Sequence, residues 1–294
     1  MKKLLAMTLA LAMSLSLAAC GGGASSSTPS ASTPDASTST PDASTGDEST
    51  GGETVDLSEA RVEPGKLIMS TNAAFPPYEM VADGEGVYQG LEGIDVEIAL
   101  AIADKLGLEL VIDDMDFDAA LMAVQNNSAD VMLAGLSYSE DRDEVVDFTD
   151  SYATGIQSVI VKEGSDVTMD NVGEYLIGTQ RGTTGFQYAS APVEEDGYGE
   201  EHVTGYDNGA TAVQELINGT IDAVIIDNAP AQEYVAANPD AGLALLDGAW
   251  VEEDYCAAVD EGNTVLLDAI NAALNEMITD GTVQTIVDKY ITAE

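Results

Sequence analysis

The chain has 294 residues, enough for one large domain or two ordinary ones, and 45% of them are hydrophobic, a share typical of a folded globular protein. Only nine lysines and arginines stand against 53 aspartates and glutamates, which gives a formal net charge of −44. Such a surface repels the phosphates of nucleic acids and of anionic lipid headgroups, so the composition argues against nucleic-acid binding.

Cysteine and histidine are too scarce for most metal and nucleophile chemistry. The only histidine is His202, and the two cysteines are Cys20 and Cys256. Cys20 belongs to a leader sequence, so no pair remains for a structural disulfide, and no Cys/His cluster offers ligands to a metal. A Ser-His-Asp arrangement would depend on His202 alone, and its neighbours show no other sign of a catalytic site. We therefore expect neither a metal ion nor a cofactor.

Residues 1–20 have the pattern of an export signal. Two lysines precede an apolar run that is too short to span a membrane comfortably, and small residues follow it. The last four residues, Leu-Ala-Ala-Cys, resemble the bacterial lipobox, in which the cysteine becomes an acylated N-terminus. We therefore predict that Cys20 is lipidated and anchors the protein to the extracytoplasmic face of the cell membrane. The alternative is an ordinary secreted protein in which this cysteine occurs by chance.

Residues 21–60 have the composition of a flexible tether. They are almost entirely Gly, Ser, Thr, Pro, Ala and acidic residues, and the heptapeptide at 32–38 recurs unchanged at 39–45. A repeat without an apolar position has nothing to bury, so it predicts neither a coiled coil nor a solenoid. Flexible-chain scaling gives such a segment a reach of roughly 35 Å, enough to hold a folded domain away from a membrane.

From residue 61 the hydrophobic pattern alternates between strand and helix. Strands are predicted at 66–70, 109–112, 130–133, 157–161, 175–179, 221–226, 243–246 and 255–259, and helices at 93–107, 117–125, from 183, 209–217, 228–237, 263–279 and 282–290. Strands separated by helices predict an α/β fold with parallel sheets and with ligands at the carboxyl ends of the strands. We predict two lobes, the first formed by 61–154 plus 252–294 and the second by 155–251.

A short stretch after one predicted strand has the chemistry of a carboxylate site. The apolar run 131–133 ends in Ala134 and Gly135, and then come Ser137 and Arg142. Small residues let a ligand approach the backbone, hydroxyls hydrogen-bond to it, and a guanidinium presents a fork that matches a carboxylate. The stretch therefore predicts one side of a site for a small carboxylate ligand.

Several motifs occur together in one order and spacing. They are PPYE at 76–79, GLEGIDVE at 90–97, FDAAL at 117–121, DVMLAGLS at 130–137, SEDRDEVVDF at 139–148, GTTG at 182–185 and DAVIID at 222–227. As a set they resemble the extracellular solute-binding proteins of polar amino-acid ABC transporters, over about residues 62–290. The resemblance implies a type II periplasmic-binding-protein-like fold, with the ligand in a cleft between two lobes joined by two crossover strands.

The resemblance also implies roles for particular residues. Arg142 would pair with the α-carboxylate of a free amino acid, helped by the helix that begins at Thr183 and Thr184. Asp227, Ser137 and the carbonyl of Gly135 would receive the α-ammonium. The full predicted ligand set is Asn72, Phe75, Phe117, Gly135, Leu136, Ser137, Arg142, Arg181, Thr183, Thr184 and Asp227.

Some of these residues have other possible roles. Phe75 and Phe117 would form aromatic walls, or they belong to the core. Asp227 could instead cap the helix that follows it. Asn72 stands where binders of basic amino acids often have an acid, which predicts a ligand that is polar but not basic. Arg181 would meet an acidic or amide ligand side chain, or it forms a surface ion pair.

The implied function is capture of a free polar amino acid by a monomeric, non-enzymatic protein that delivers it to an ABC permease. The main alternative is an enzyme on the same fold, a dehydratase acting on prephenate or arogenate, which would need a general acid in the cleft. A tethered sensor domain and a structural surface protein without a ligand are further alternatives.

Overall fold

A computed structural model of the protein describes residues 56–291. The predicted signal peptide, Cys20 and nearly all of the predicted tether lie outside the described residues. Residues 56–60, which we assigned to the tether, pack against the folded part: Leu57 is buried in the core, and the Asn263 side chain donates a hydrogen bond to the Ala60 carbonyl at 3.0 Å. The folded part therefore begins a few residues earlier than predicted.

Strands and helices alternate along the described chain. The strands are β1 (Lys66–Thr71), β2 (Ala74–Phe75), β3 (Glu79–Val81), β4 (Leu91–Glu92), β5 (Glu109–Asp114), β6 (Val131–Met132), β7 (Val146–Phe148), β8 (Ala153–Lys162), β9 (Ile177–Gln180), β10 (Val203–Tyr206), β11 (Ala223–Asp227), β12 (Leu243–Leu245), β13 (Glu252–Tyr255) and β14 (Ala258–Asp260). The helices are α1 (Ile94–Leu106), α2 (Phe117–Gln125), α3 (Glu140–Asp143), α4 (Thr184–Ser190), α5 (Gly209–Asn218), α6 (Asn228–Ala237), α7 (Thr264–Thr279) and α8 (Thr282–Tyr290).

The first lobe is built on a five-stranded sheet in the order β5-β1-β6-β14-β7. β1 runs parallel to β5 and β6, whereas β14 runs antiparallel to β6 and β7. Helices α1, α7 and α8 pack together beside this sheet. α1 turns its apolar residues inward and ends at Gly107, whose φ of 66° gives the left-handed conformation that closes a helix without steric cost to glycine.

The second lobe is built on a six-stranded sheet whose main path is β10-β9-β11-β8-β12. β9 is parallel to β10 and β11, and β8 is antiparallel to β11 and β12. The prediction of parallel sheets therefore holds for most strands of each lobe but not for β14 and β8. The strands that enter each sheet from the other lobe, β8 and β14, run in the reverse direction, and a hydrophobic pattern carries no information on strand direction.

Two neighbouring strands connect the lobes. β8 leaves the first lobe, β13 returns to it, and the two pair antiparallel from Ala153 opposite Tyr255 to Ile156 opposite Glu252. This arrangement agrees with the predicted two-lobed fold with two crossover strands. The lobe boundaries at 154/155 and 251/252 fall within or beside these two strands and stay a prediction.

The elements that the hydrophobic pattern did not predict are all short. They are β7, β10, α3 and the three-stranded antiparallel sheet of β2, β3 and β4. The single strand predicted at 255–259 is in fact two strands, β13 and β14, separated by Cys256 and Ala257. Within residues 56–291, no helix has the length and apolarity needed to cross a membrane.

Candidate ligand-binding site

A small, nearly closed cavity lies between the two lobes at the carboxyl ends of their strands. Asn72 directly follows β1, Gln180 ends β9, and Asp227 ends β11, so parallel strands of both sheets deliver polar side chains to one place. The residues that line the cavity are Asn72, Phe75, Glu79, Phe117, Ala134, Gly135, Ser137, Arg142, Gln180, Thr183, Thr184 and Asp227.

The two lobes touch directly around this cavity. The Gln180 side chain donates from Nε2 to Asn72 Oδ1 at 3.0 Å, and Arg142 donates from Nη2 to the Gly182 carbonyl at 3.0 Å. Each of these bonds joins a residue of one lobe to a residue of the other. A molecule as large as an amino acid therefore reaches the cavity only when the lobes separate.

Arg142 is the cation of the cavity. The four-residue helix α3 begins at Ser139, whose Oγ accepts from the Arg142 backbone N–H at 3.3 Å, and this turn directs the guanidinium inward. There Nη1 donates to the Ser137 carbonyl at 2.5 Å, and the guanidinium lies 5.5 Å from the centre of the Phe117 ring. Burial lowers the pKa of Arg142, and the Glu253 carboxylate opposes that shift.

No carboxylate of the described residues forms a salt bridge with Arg142. Its charge is held by two carbonyl oxygens instead. A buried guanidinium with unused donors is favourable only when an anion completes its hydrogen bonds, so this side of the cavity suits a carboxylate.

Asp227 is the anion on the opposite lobe. It stands at the N-cap position of α6 but makes no capping hydrogen bond with its side chain. The carboxylate instead accepts from Tyr255 OH on Oδ1 and from Gln157 Nε2 on Oδ2 at 3.0 Å. Burial raises the pKa of Asp227 to about 7, the Glu253 charge adds to this shift, and the hydrogen bond from Tyr255 opposes it.

The backbone at Gly135 and the ring of Phe75 form a close wall. Gly135 has φ of 52°, and a Cβ atom there would lie 2.5 Å from Phe75 Cε1, so only glycine fits. Its N–H donates to Asp95 Oδ2 at 2.7 Å, which fixes the loop after β6 to the start of α1. Phe75 and Phe117 are both buried, and both also face the cavity, so they serve core and wall together.

Two threonines begin helix α4 at the edge of the cavity. Thr183 is its N-cap, and its Oγ1 accepts from the Phe186 N–H at 3.2 Å. Thr184 is buried and donates from Oγ1 to Glu253 Oε2 at 3.0 Å. Ser137, on the facing lobe, donates to the same Glu253 oxygen at 3.0 Å.

Two of the predicted ligand residues do not reach the cavity. Arg181 is exposed, and its guanidinium pairs with Asp207 at 3.0 Å and donates to the Gly205 carbonyl at 3.0 Å. Of the two roles considered for Arg181, the structure shows the surface ion pair. Leu136 is fully buried in the core, and its carbonyl accepts from the Cys256 N–H at 2.9 Å.

Glu79 is the lining residue of most consequence that the sequence analysis missed. It is fully buried, and no donor of the described residues bonds either of its carboxylate oxygens. Burial raises its pKa well above the usual range, and the neighbouring Asp95 carboxylate adds to the shift. In the sequence Glu79 directly follows the Pro-Pro-Tyr loop, a position that does not by itself indicate a buried acid. Gln180, which directly follows the strand predicted at 175–179, is also absent from the predicted ligand set.

A cavity enclosed by two lobes on two crossover strands, with an arginine on one lobe and an aspartate on the other, is typical of a protein that binds a small zwitterionic molecule. Residues 67–293 match the bacterial extracellular solute-binding proteins, family 3. The chain belongs to this family, and the predicted fold class and family are confirmed.

Named relatives bind several different amino acids. The arginine-binding extracellular protein ArtP of Bacillus subtilis is 30% identical over 78% of this chain and 87% of its own length. The L-cystine-binding protein TcyJ of Escherichia coli K12 is 30% identical over 79% of this chain and 85% of its length. Among solved structures, an ancestral arginine-binding protein bound to arginine has a TM-score of 0.70 at 38% identity, with 77% of this chain and 98% of that chain covered.

These names fit the prediction of a binding protein and not the dehydratase alternative. They conflict with the prediction that the ligand is not basic, which we correct. That prediction relied on Asn72 alone, whose amide in fact bonds Gln180 and the Met115 carbonyl. A buried carboxylate is present in the cavity wall, but it is Glu79, on a different element.

Proposed function

We propose that this protein captures a free amino acid between its two lobes, without changing it chemically, and delivers it to the permease of an ABC importer. The observation that carries the proposal is that Arg142 of the first lobe and Asp227 of the second lobe line one cavity. The guanidinium offers two parallel donors to an α-carboxylate, and the aspartate offers a counter-charge to an α-ammonium.

This division of charge links ligand binding to closure of the lobes. In the open protein Arg142 and Asp227 lie on separate lobes, and only the closed protein places both within reach of one zwitterion. The ligand therefore binds the closed state more tightly than the open state, which is the condition for a ligand to drive closure. Exclusion of water then strengthens both charge interactions.

We further propose that the ligand side chain is basic. The Glu79 carboxylate is fully buried in the cavity wall without a donor, and a guanidinium or ammonium group would supply the missing hydrogen bonds and the counter-charge. Relatives named for arginine support this choice. An ancestral arginine-binding protein has also been solved bound to glutamine, at 37% identity and a TM-score of 0.70, so glutamine is a suitable comparison ligand.

Exchange of Glu79 for glutamine tests the side-chain assignment. The first step is a thermal-shift screen of all amino acids, in which a bound ligand raises Tm. In Glu79→Gln, the affinity for arginine measured by calorimetry should then fall by about 2 kcal/mol, roughly thirtyfold, relative to the affinity for glutamine, because a charged acceptor is lost. Glu85→Gln, an exposed glutamate in the same segment, is the matched control. Equal losses for both ligands would show that Glu79 does not contact the side chain.

We also propose that the protein is a monomer held at the extracytoplasmic face of the cell membrane by acylation of Cys20. Cys20→Ser should move the protein from the membrane fraction to the medium, because the acyl chains that hold it would be absent. Cys256→Ser is the control, since Cys256 is buried in the fold and should leave the protein on the membrane. Membrane retention of Cys20→Ser after washing with high salt would contradict the lipid anchor.

A further inference from the structure

Glu253 lies on the crossover strand β13, close behind the cavity, and it is 7% exposed. One of its oxygens, Oε2, accepts three hydrogen bonds at 3.0 Å each, from Ser137 Oγ, Thr184 Oγ1 and Gln157 Nε2. The three donors come from three parts of the molecule: the loop after β6 in the first lobe, the start of α4 in the second lobe, and the other crossover strand. We propose that Glu253 is a positioning residue that holds the lobes in the closed, ligand-binding arrangement; this inference rests on the proposed function.

The backbone around Glu253 shows which of these bonds depends on closure. Its neighbours in β13 are fixed to the loop that carries Ser137: Tyr138 N–H donates to the Asp254 carbonyl at 3.0 Å, and Cys256 N–H donates to the Leu136 carbonyl at 2.9 Å. Glu253 therefore moves as part of the first lobe together with Ser137. Thr184 belongs to the second lobe, so its hydroxyl meets Glu253 only when the lobes close.

The same bonds fix the polarity of two hydroxyl groups that line the cavity. A hydroxyl has one proton, and those of Ser137 and Thr184 both point to Glu253. Each oxygen then presents only lone pairs to a ligand, so both hydroxyls act as acceptors. This suits the α-ammonium of an amino acid, and it leaves the α-carboxylate to Arg142.

Gln157 extends this arrangement to Asp227. Its Nε2 group donates to Glu253 Oε2 and to Asp227 Oδ2, both at 3.0 Å. One amide group on the crossover strand β8 thus lies between two buried carboxylates and donates a hydrogen bond to each of them. Loss of the Glu253 charge would weaken all three hydrogen bonds, and the bond to Thr184 is the one that only the closed state would lose.

Exchange of Glu253 for glutamine tests this role with little change in shape. Using an amino acid that the wild-type protein binds, we expect Kd to rise ten- to a hundredfold, because hydrogen bonds to a charged acceptor are lost in the closed state. The increase should arise from faster dissociation, since ligand first meets the open protein. Stopped-flow fluorescence of the chain's single tryptophan, Trp250, which stacks on Tyr198 beside β13, provides the rates.

Three comparisons separate positioning from a merely structural role. The Tm of the ligand-free protein should stay within about 2 °C of wild type, because the bond to Thr184 belongs to the closed state. The ratio of arginine to glutamine affinity should not change, unlike in Glu79→Gln. Glu252→Gln, an exposed neighbour on the same strand, should bind as wild type.

An unchanged dissociation rate in Glu253→Gln, or a lower Tm without a change in Kd, would overturn the inference. If that variant fails to fold, Thr184→Val must accelerate dissociation instead, and an unchanged rate there is equally contrary. A wild-type protein that binds no amino acid would refute the proposed function itself, which is a separate result.

Discussion

Substitution of Arg142 by alanine should greatly weaken amino-acid binding. The guanidinium is the only cationic group that lines the cavity in the described part of the chain, and it meets no carboxylate of the protein there. Its removal leaves the ligand carboxylate without a counter-charge in a closed, water-poor space, at a cost of about 2–5 kcal/mol. Isothermal calorimetry should therefore show Kd increased by roughly thirtyfold to several thousandfold.

Arg181→Ala is the matched control for this experiment. Arg181 lies 39 positions along the chain from Arg142, but its guanidinium is exposed and paired with Asp207, and exposed pairs contribute little. Its removal should leave Kd within about twofold of wild type. Arg142→Lys should fall between the two variants, because an ammonium keeps the charge but loses the planar fork. Near-wild-type affinity in Arg142→Ala, with a native circular dichroism spectrum, would refute the assigned role.

The contrast between these two arginines shows what a sequence can predict about this site. Arg142 lies within the motif at 139–148, whereas Arg181 only precedes the motif at 182–185, and its local sequence fits both a ligand contact and a surface ion pair. In the structure the turn of α3 directs Arg142 into the cavity, whereas Arg181 directly follows the end of β9 and pairs with Asp207. Such side-chain orientations depend on packing between segments that are distant in the sequence, and hydrophobic periodicity carries no information on that packing.

Long periodic elements were predicted best. Helices α2, α6 and α8 have the predicted bounds, and α5 and α7 differ from theirs by one residue. The two- and three-residue strands β2, β3 and β4 are too short to show any period. The direction of a strand cannot be predicted from its hydrophobic pattern, since an apolar run is the same in a parallel and in an antiparallel strand.

Glu79 and Glu253 show a further limit. The chain has 53 acidic residues, so one more glutamate after a proline-rich loop or within a short strand carries no local signal. What distinguishes these two is burial, at 0% and 7% exposure, in a protein whose other acids are mostly at the surface. Burial of an acid is costly, so it marks a place where the fold or a ligand supplies compensation. That property becomes visible only in three dimensions.

The second large effect that we expect is a loss of affinity at mildly acidic pH. In the ligand-free structure burial raises the pKa of Asp227 to about 7, with Glu253 raising it further and Tyr255 and Gln157 lowering it. A ligand ammonium needs the charged carboxylate, so binding must release a proton whenever Asp227 is protonated. Affinity should therefore be nearly constant above pH 8 and fall about tenfold between pH 8 and pH 6.

Calorimetry in buffers of different ionisation enthalpy measures this proton release directly at pH 6.5. Asp227→Asn should bind weakly, and its Kd should lose the Asp227 component of the pH dependence; Glu79→Gln separates the contribution of the second raised pKa.

The pH dependence of stability gives an independent check that the pKa of Asp227 is raised in the folded protein. Because the folded protein holds the Asp227 proton more tightly than the unfolded chain does, Asp227 destabilises the ligand-free protein progressively as pH rises from about 4 to 7. The difference in Tm between Asp227→Asn and wild type should increase over that range, and a difference that does not change with pH would exclude Asp227 as the proton-linked group.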